Sequence, residues 1–210
     1  MLKAERIAAL LEEDPANENA LVIVPKPDLS SPSRRGAASV DLRLGTWFTT
    51  LKPAHIDALT IDRQGPEPQL TRSHYVPFGG VYYLHPRNFV LGVTLEWLRL
   101  PSNLAGYVIG KSSWGRRGLI IATAVGVHPG FMGCLTLELT NVGEVPIAIQ
   151  PGMPIGQLCL HDCGVASAAI DHSSFVGRRK PTLGQVKHDE LSRVLTRAAR
   201  PAGFASDGKP

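Results

Sequence analysis

Between Leu21 and Cys163 the chain is a succession of short β-branched, leucine-rich or aromatic runs, each cut off by proline or glycine. That punctuation constrains the fold more than any other feature, because runs this short cannot propagate long helices and fit strands joined by tight turns. The runs are Leu21–Val24, Ser39–Leu44, Gly80–Leu84, Phe89–Leu100, Leu104–Ile109, Leu119–Ala124, Cys134–Thr140, Val145–Ile149 and Ile155–Leu160. Strands do not alternate with helical patterns, which excludes a doubly wound parallel sheet and leaves a mainly β sandwich or barrel.

Helix is expected only at the two ends. Ile7, Leu10 and Leu11 share one face of Leu2–Glu13, and Asp14-Pro15 ends that helix. Ser30–Gly36 reads as a polar loop and Asp57–Ser73 as an irregular excursion. After Asp171 the chain turns basic and Gly/Pro-punctuated, the texture of a mobile arm; Glu190–Ala199 suits one short helix, and Pro201–Pro210 suits disorder. The expected division is one domain over 1–188, with the arm from about 171, and a tail over 189–210.

With 210 residues, 43% of them hydrophobic, the chain can bury a full core as one domain. The net charge of +4 comes from scattered cations until Arg178, Arg179, Lys180, Lys187, Arg193, Arg197 and Arg200 gather near the end. A basic excess of this size suits a phosphorylated small molecule or a nucleic acid without choosing between them. No run approaches the eighteen apolar residues of a membrane span and no signal core precedes a cleavage site, so a soluble, cytoplasmic protein without a membrane partner is expected. Three cysteines form no disulfide framework.

Two stretches carry chemistry. In Gly110-Lys111-Ser112-Ser113-Trp114-Gly115-Arg116-Arg117-Gly118, amine, hydroxyl and guanidinium groups can converge with backbone amides on phosphate oxygens. It lacks the spacing of a Walker loop and lies between strands, so a plain polar turn stays open. In Cys134–Thr140, alternation puts Glu138 with Cys134, Thr136 and Thr140 opposite Leu135, Leu137 and Leu139. Glu138 is either a solvent-facing strand residue or a carboxylate held for acid–base work. A zinc deaminase would need His-x-Glu followed by Pro-Cys-x-x-Cys; His188-Asp189-Glu190 has the first spacing, but no cysteine follows it. Cys159-Leu160-His161-Asp162-Cys163 groups soft ligands without an evident fourth, so no metal site is assigned.

From its first helix to about Lys187, the chain resembles the dCTP deaminases of the trimeric dUTPase-like superfamily. The matching blocks, in order, are Ala38–Gly45, Tyr83–Pro86, Val93–Glu96, Gly110–Ser113 with Gly115-Arg116, Pro129–Phe131 with Gly133, Leu137-Glu138 with Asn141, and Pro151–Met153 with Ile155–Leu158. The resemblance implies a distorted β-barrel or jelly-roll with an N-terminal helix and a C-terminal arm, assembled as a homotrimer. It implies hydrolytic deamination of dCTP to dUTP and ammonia, without catalytic zinc and with Mg²⁺ accompanying the triphosphate. The partner is thus a nucleotide and not a nucleic acid, with dTTP a candidate inhibitor. Glu138 matches the catalytic glutamate, and Ser112 and Arg116 its assistants. Lys111, Ser112, Ser113, Trp114, Gly115 and Arg116 match the triphosphate segment; Thr136, Leu137 and Gln157 match further nucleotide contacts. Ala124 matches a position whose carbonyl holds the attacking water.

The chain departs from the family pattern in two places. Where the family keeps an aspartate, for the sugar 3′-hydroxyl in deaminases and for the water in dUTPases, this sequence reads Val127-His128-Pro129-Gly130. An imidazole can still hydrogen-bond a hydroxyl but has neither the charge nor the shape of a carboxylate, so pyrophosphate cleavage is not expected. In the arm, Ser173-Ser174-Phe175-Val176-Gly177-Arg178 stands where the family has a Tyr- and Gln-containing stretch, with Phe175 replacing the aromatic and Arg178 the glutamine. A second reading is a catalytically weak nucleotide-binding or regulatory member, against which the retained Lys111, Ser112, Arg116, Gln157 and Glu138 count.

Overall fold

The computed structural model describes residues 1–31, 36–52, 59, 67–122, 126–164, 177–184 and 187–198. Its order is α1 (Ala4–Leu10), β1 (Val22–Val24), β2 (Val40–Arg43), β3 (Trp47–Leu51), α2 (Glu67–Leu70), β4 (Thr71–Tyr75), β5 (Tyr82–Leu84), β6 (Phe89–Arg99) and β7 (Leu104–Gly110). Then follow α3 (Ser112–Gly115), β8 (Leu119–Ile121), β9 (Gly126–Val127), β10 (Met132–Asn141), β11 (Ile147–Ile149), β12 (Pro154–Asp162) and α4 (Glu190–Ala198). The mainly β expectation holds, with the N-terminal helix in place.

Two antiparallel sheets form the body. One runs β4-β3-β6-β10-β8, with β1 also on β6; the other runs β2-β12-β7-β9, and β11 pairs with β5. The long strand β10 alternates as its sequence requires: Leu135, Leu137 and Leu139 are buried while Cys134, Thr136, Glu138 and Thr140 are partly exposed, whereas β6 is buried continuously from Val90 to Thr94. From the second sheet Val40, Leu42, Leu158 and Leu160, all fully buried, meet those leucines in one continuous core.

Two polar groups lock the layers. Glu96 of β6 is 1% exposed; its carboxylate accepts from the Arg43 backbone N–H at 2.8 Å and from Arg43 Nη1 at 3.1 Å, tying β2 to the other sheet. Asn141, fully buried at the end of β10, donates from Nδ2 to the carbonyls of Leu84 (2.9 Å) and Val145 (2.8 Å) and accepts from the Gly143 N–H (2.9 Å). Both amide N–H donors and the amide oxygen are thus directed at backbone groups around the Gly143–Val145 turn and the end of β5.

The sequence reading missed β3, β4 and β9. Trp47–Leu51 and Thr71–Tyr75 pair with each other along five residues, so the expected Asp57–Ser73 excursion ends in the short helix α2 and the start of a strand; residues 57–58 and 60–66 lie outside the described residues. The arm was expected to be mobile, yet its described part is seated: the Gly177 N–H donates to the Met132 carbonyl, the Cys134 N–H donates to the Arg178 carbonyl at 2.9 Å, and Lys180 Nζ stands 3.8 Å from the centre of the Trp47 ring. Gly133 makes this possible, since its φ is +138° and a Cβ there would meet the Arg178 carbonyl oxygen at 3.0 Å. Phe175, Ser174 and Pro201–Pro210 lie outside the described residues. No helix among the described residues is long and apolar enough to cross a membrane.

Asn141→Ala removes three hydrogen bonds at once, one of them to the carbonyl of buried Leu84, so it should lower unfolding free energy by about 2–4 kcal/mol, measured by urea titration.

Candidate active site

Three strands of the second sheet lie side by side in the order β2, β12, β7, and their register sets Asp41 opposite Gln157 and Gln157 opposite Ile109. Two residues beyond Ile109, Lys111 leaves the strand and reaches back over this line. Lys111 Nζ donates to Asp41 Oδ1 at 2.9 Å; Gln157 Nε2 donates to the same oxygen at 3.3 Å and to Ser39 Oγ at 3.1 Å. Two of the expected nucleotide-binding residues are thereby brought together, on a carboxylate that is itself mostly covered.

The segment after Lys111 is one turn of helix, α3, where a polar turn is expected. The Arg116 N–H donates to the Ser112 carbonyl at 3.0 Å and Arg117 Nη1 to the Ser113 carbonyl at 2.7 Å, which leaves the Ser112, Ser113 and Arg116 side chains exposed. Trp114 is half-buried against the core, its indole N–H donating to the Pro154 carbonyl at 3.2 Å; it is packing, with the ring edge near the site. Gly118, at φ +88°, turns the chain into β8; a Cβ there would meet the Gly143 nitrogen at 2.8 Å.

Glu138 lies on the other sheet, in β10 between β6 and β8. Its carbonyl accepts from the Ala122 N–H at 2.9 Å, which carries the β8 pairing one residue further. The two sheets approach here: a Cβ on Gly110 would lie 3.6 Å from Ile121, and Ile121 pairs with Leu139 beside Glu138. Thr136 shares the partly exposed face of Glu138, whereas Leu137 is fully buried between them, so only the Leu137 backbone can meet a ligand. Ala124 lies outside the described residues.

His128 is exposed at the end of β9, in the turn His128-Pro129-Gly130-Phe131 closed by the Phe131 N–H on the His128 carbonyl at 3.2 Å. The pairing of Gly106 with Val127 sets His128 about six residues back along β7 from Lys111, roughly 20 Å. Arg178 is placed by Cys134 at the same far end. Within one chain the structure therefore groups Lys111, Ser112, Arg116, Gln157 and Glu138 toward one end, and His128 and Arg178 toward the other.

The features weighed for zinc are occupied differently. His188 Nδ1 lies 2.6 Å from Ser192 Oγ and Asp189 Oδ1 accepts from the Ser192 N–H at 2.7 Å, so His188-Asp189-Glu190 is the capped start of α4. Cys159 is buried in β12, the His161 ring sits edge-on to Tyr107, and Cys163 is exposed beyond the strand. Burial pushes the Cys134 and Cys159 thiols up from their ordinary range.

A family model described as dCTP deaminase-like matches residues 1–163. The chain belongs to the dCTP deaminase-like family. A relative from Mycobacterium leprae (strain Br4923), named dCTP deaminase, dUMP-forming, is 42% identical over 154 residues, covering 69% of this chain and 78% of its own. One of the same name from Parafrankia sp. (strain EAN1pec) is 38% identical over 209 residues, covering 95% and 92%. Among solved structures, the 2′-deoxycytidine 5′-triphosphate deaminase from Agrobacterium tumefaciens superposes with a TM-score of 0.56 at 21% identity, over 78% of this chain and 46% of that one, and shares the fold. For this dCTP deaminase-like chain, the ordered blocks that carried the resemblance fall on the strands and turns just described.

Asp41, present in the sequence reading only inside the Ala38–Gly45 block, is the residue whose place beside Lys111 and Gln157 was missed. Its signal was the Val40-Asp41-Leu42-Arg43 alternation, which faces two charges away from the core.

With iodoacetamide at pH 8, Cys163 should be alkylated well before Cys134 and Cys159, since raised thiol pKa and cover both slow the latter pair; peptide mass spectrometry against time checks the order.

Proposed function

We propose that the chain hydrolyses the C4 amine of dCTP, with Glu138 moving the proton. The observation that carries this reading is a partly exposed carboxylate on a strand bonded on both sides, at the point where the phosphate segment approaches from the other sheet. Water adds across C4 and N3 as Glu138 takes one proton and delivers it to N3; Glu138 then carries the C4 hydroxyl proton to the departing amine, the C4–N bond breaks, ammonia leaves and the C4 carbonyl of uracil remains. Ser112 and Arg116 stabilise charge that develops on the ring and its substituents, and a rigid strand keeps Glu138 in reach throughout. Ser113 joins Lys111 and Arg116 on the triphosphate, which enters with Mg²⁺. Thr136, the Leu137 backbone, the Ala124 carbonyl and Gln157 surround base and water, with His128 directed to the sugar and Arg178 to the phosphates. The proton path through Glu138 needs no catalytic zinc.

The two relatives are named for forming dUMP, and this favours dUMP and pyrophosphate as the end products over the dUTP expected from His128. Release of dUTP is the second reading, favoured by the imidazole where the family holds a carboxylate. The separation of His128 and Arg178 from Lys111 supports a homotrimer, in which a neighbouring copy completes each site. A cytoplasmic location goes with a nucleotide substrate of this kind.

Purified protein with Mg²⁺ and dCTP should release one ammonia per uracil nucleotide formed. Glu138→Gln should lower turnover by at least ~10²-fold while the dCTP dissociation constant changes little. Chromatography of the products separates dUMP with pyrophosphate from dUTP, and binding of dCTP by the wild type without any uracil product would leave the regulatory reading. Light scattering should give a mass three times that of the 22.6 kDa chain.

A further inference from the structure

We propose that Asp41 is a positioning residue that holds Lys111 ready for the triphosphate, with Gln157 fixed on the same carboxylate oxygen. This rests on the reading above, in which Lys111 meets phosphate. β2 faces two charged residues away from the core, and both are engaged: Arg43 by Glu96, and Asp41 by Lys111 and Gln157. The side chains of Asp41 and Lys111 are only 13% and 25% exposed, so their pairing is screened less than a surface ion pair.

A lysine ammonium has three donors, and the bond to Asp41 leaves two for phosphate oxygens. A free lysine carries substantial rotamer entropy, which the ligand would otherwise have to remove on binding. Fixing the side chain beforehand lowers that cost. The carboxylate also places a negative charge near the anion, which opposes binding. Asp41 therefore helps only a ligand whose phosphates lie beyond the Lys111 ammonium, and its effect should grow with the number of phosphates. A residue that merely clamped β2 to β12 would show no such dependence.

The test measures dissociation constants of the full chain for dCTP, dCMP and inorganic tripolyphosphate, with melting midpoints alongside. The proteins are wild type, Asp41→Ala, Asp41→Asn, Lys111→Ala and the Asp41→Ala/Lys111→Ala double variant. Asp41→Ala should weaken dCTP and tripolyphosphate by about tenfold or more and dCMP by less than about threefold, with the double variant no weaker than Lys111→Ala alone. Asp41→Asn, which keeps an oxygen for Lys111 and Gln157, should restore most of the affinity. Equal or tighter dCTP binding by Asp41→Ala overturns the proposal, as do additive losses that track the melting midpoint for all three ligands. Coupled loss of tripolyphosphate binding in a protein that forms no uracil nucleotide supports Asp41's role and removes the deaminase reading. Deamination by the wild type without coupling does the reverse, and a wild type that binds neither dCTP nor tripolyphosphate removes both.

Discussion

The rest of the structure depends on β10 being bonded on both edges, to β6 along most of its length and to β8 at its end. A strand in that position cannot shift by one residue without moving Leu135, Leu137 and Leu139 out of the core and Glu138 into it, an exchange that costs both apolar burial and the desolvation of a carboxylate. Register, core and the direction of the candidate catalytic side chain are thus a single choice. The same strand then carries its own terminators: Gly133 at one end admits the arm, and Asn141 at the other satisfies the loops that close the barrel-like body.

The long strands were legible in the sequence because burial writes a period of two, as in β7 and β10, or a continuous apolar run, as in β6 and β12. β6, β7, β10 and β12 lie within a residue or two of their expected ranges. β3 and β4 were not, for a physical reason: in β4 the outward residues Arg72 and Ser73 and the partly covered His74 show no clean alternation, and its stability comes from pairing with β3. β9 is two residues long and has no pattern to read. The arm looked mobile because its own composition is polar, whereas what holds it is a pair of backbone hydrogen bonds and one aromatic ring on distant parts of the chain.

The site was legible in part for the same reason. Glu138 could be placed on a face, and the seven ordered blocks could supply its role by resemblance. No sequence period, however, says that Lys111 will fold back onto Asp41 seventy residues earlier, because that contact depends on β12 lying between β2 and β7. Phosphate chemistry read from Gly110–Gly118 alone treats Lys111 as an open cation. In the folded chain it is already committed to a carboxylate, and the Trp114, Gly115 and Arg116 N–H groups of α3 are bonded within the turn.

Two sheets, not one loop, then divide the work. Lys111, Gln157 and Asp41 belong to one sheet and Glu138 to the other, and the packed core between them fixes their separation to the tolerance of the core itself. Changes that alter phosphate or sugar contacts, such as an imidazole at 128 or cations at 178–180, can therefore accumulate without displacing the carboxylate that would act on the base. His128 and Arg178 lie near the chain's opposite end, where their substitution disturbs neither the Lys111 pair nor the β10 register. Under the proposed reading, the group that would move the proton and the groups that would handle sugar and phosphates sit at different places in the fold, so a change in one leaves the other in place.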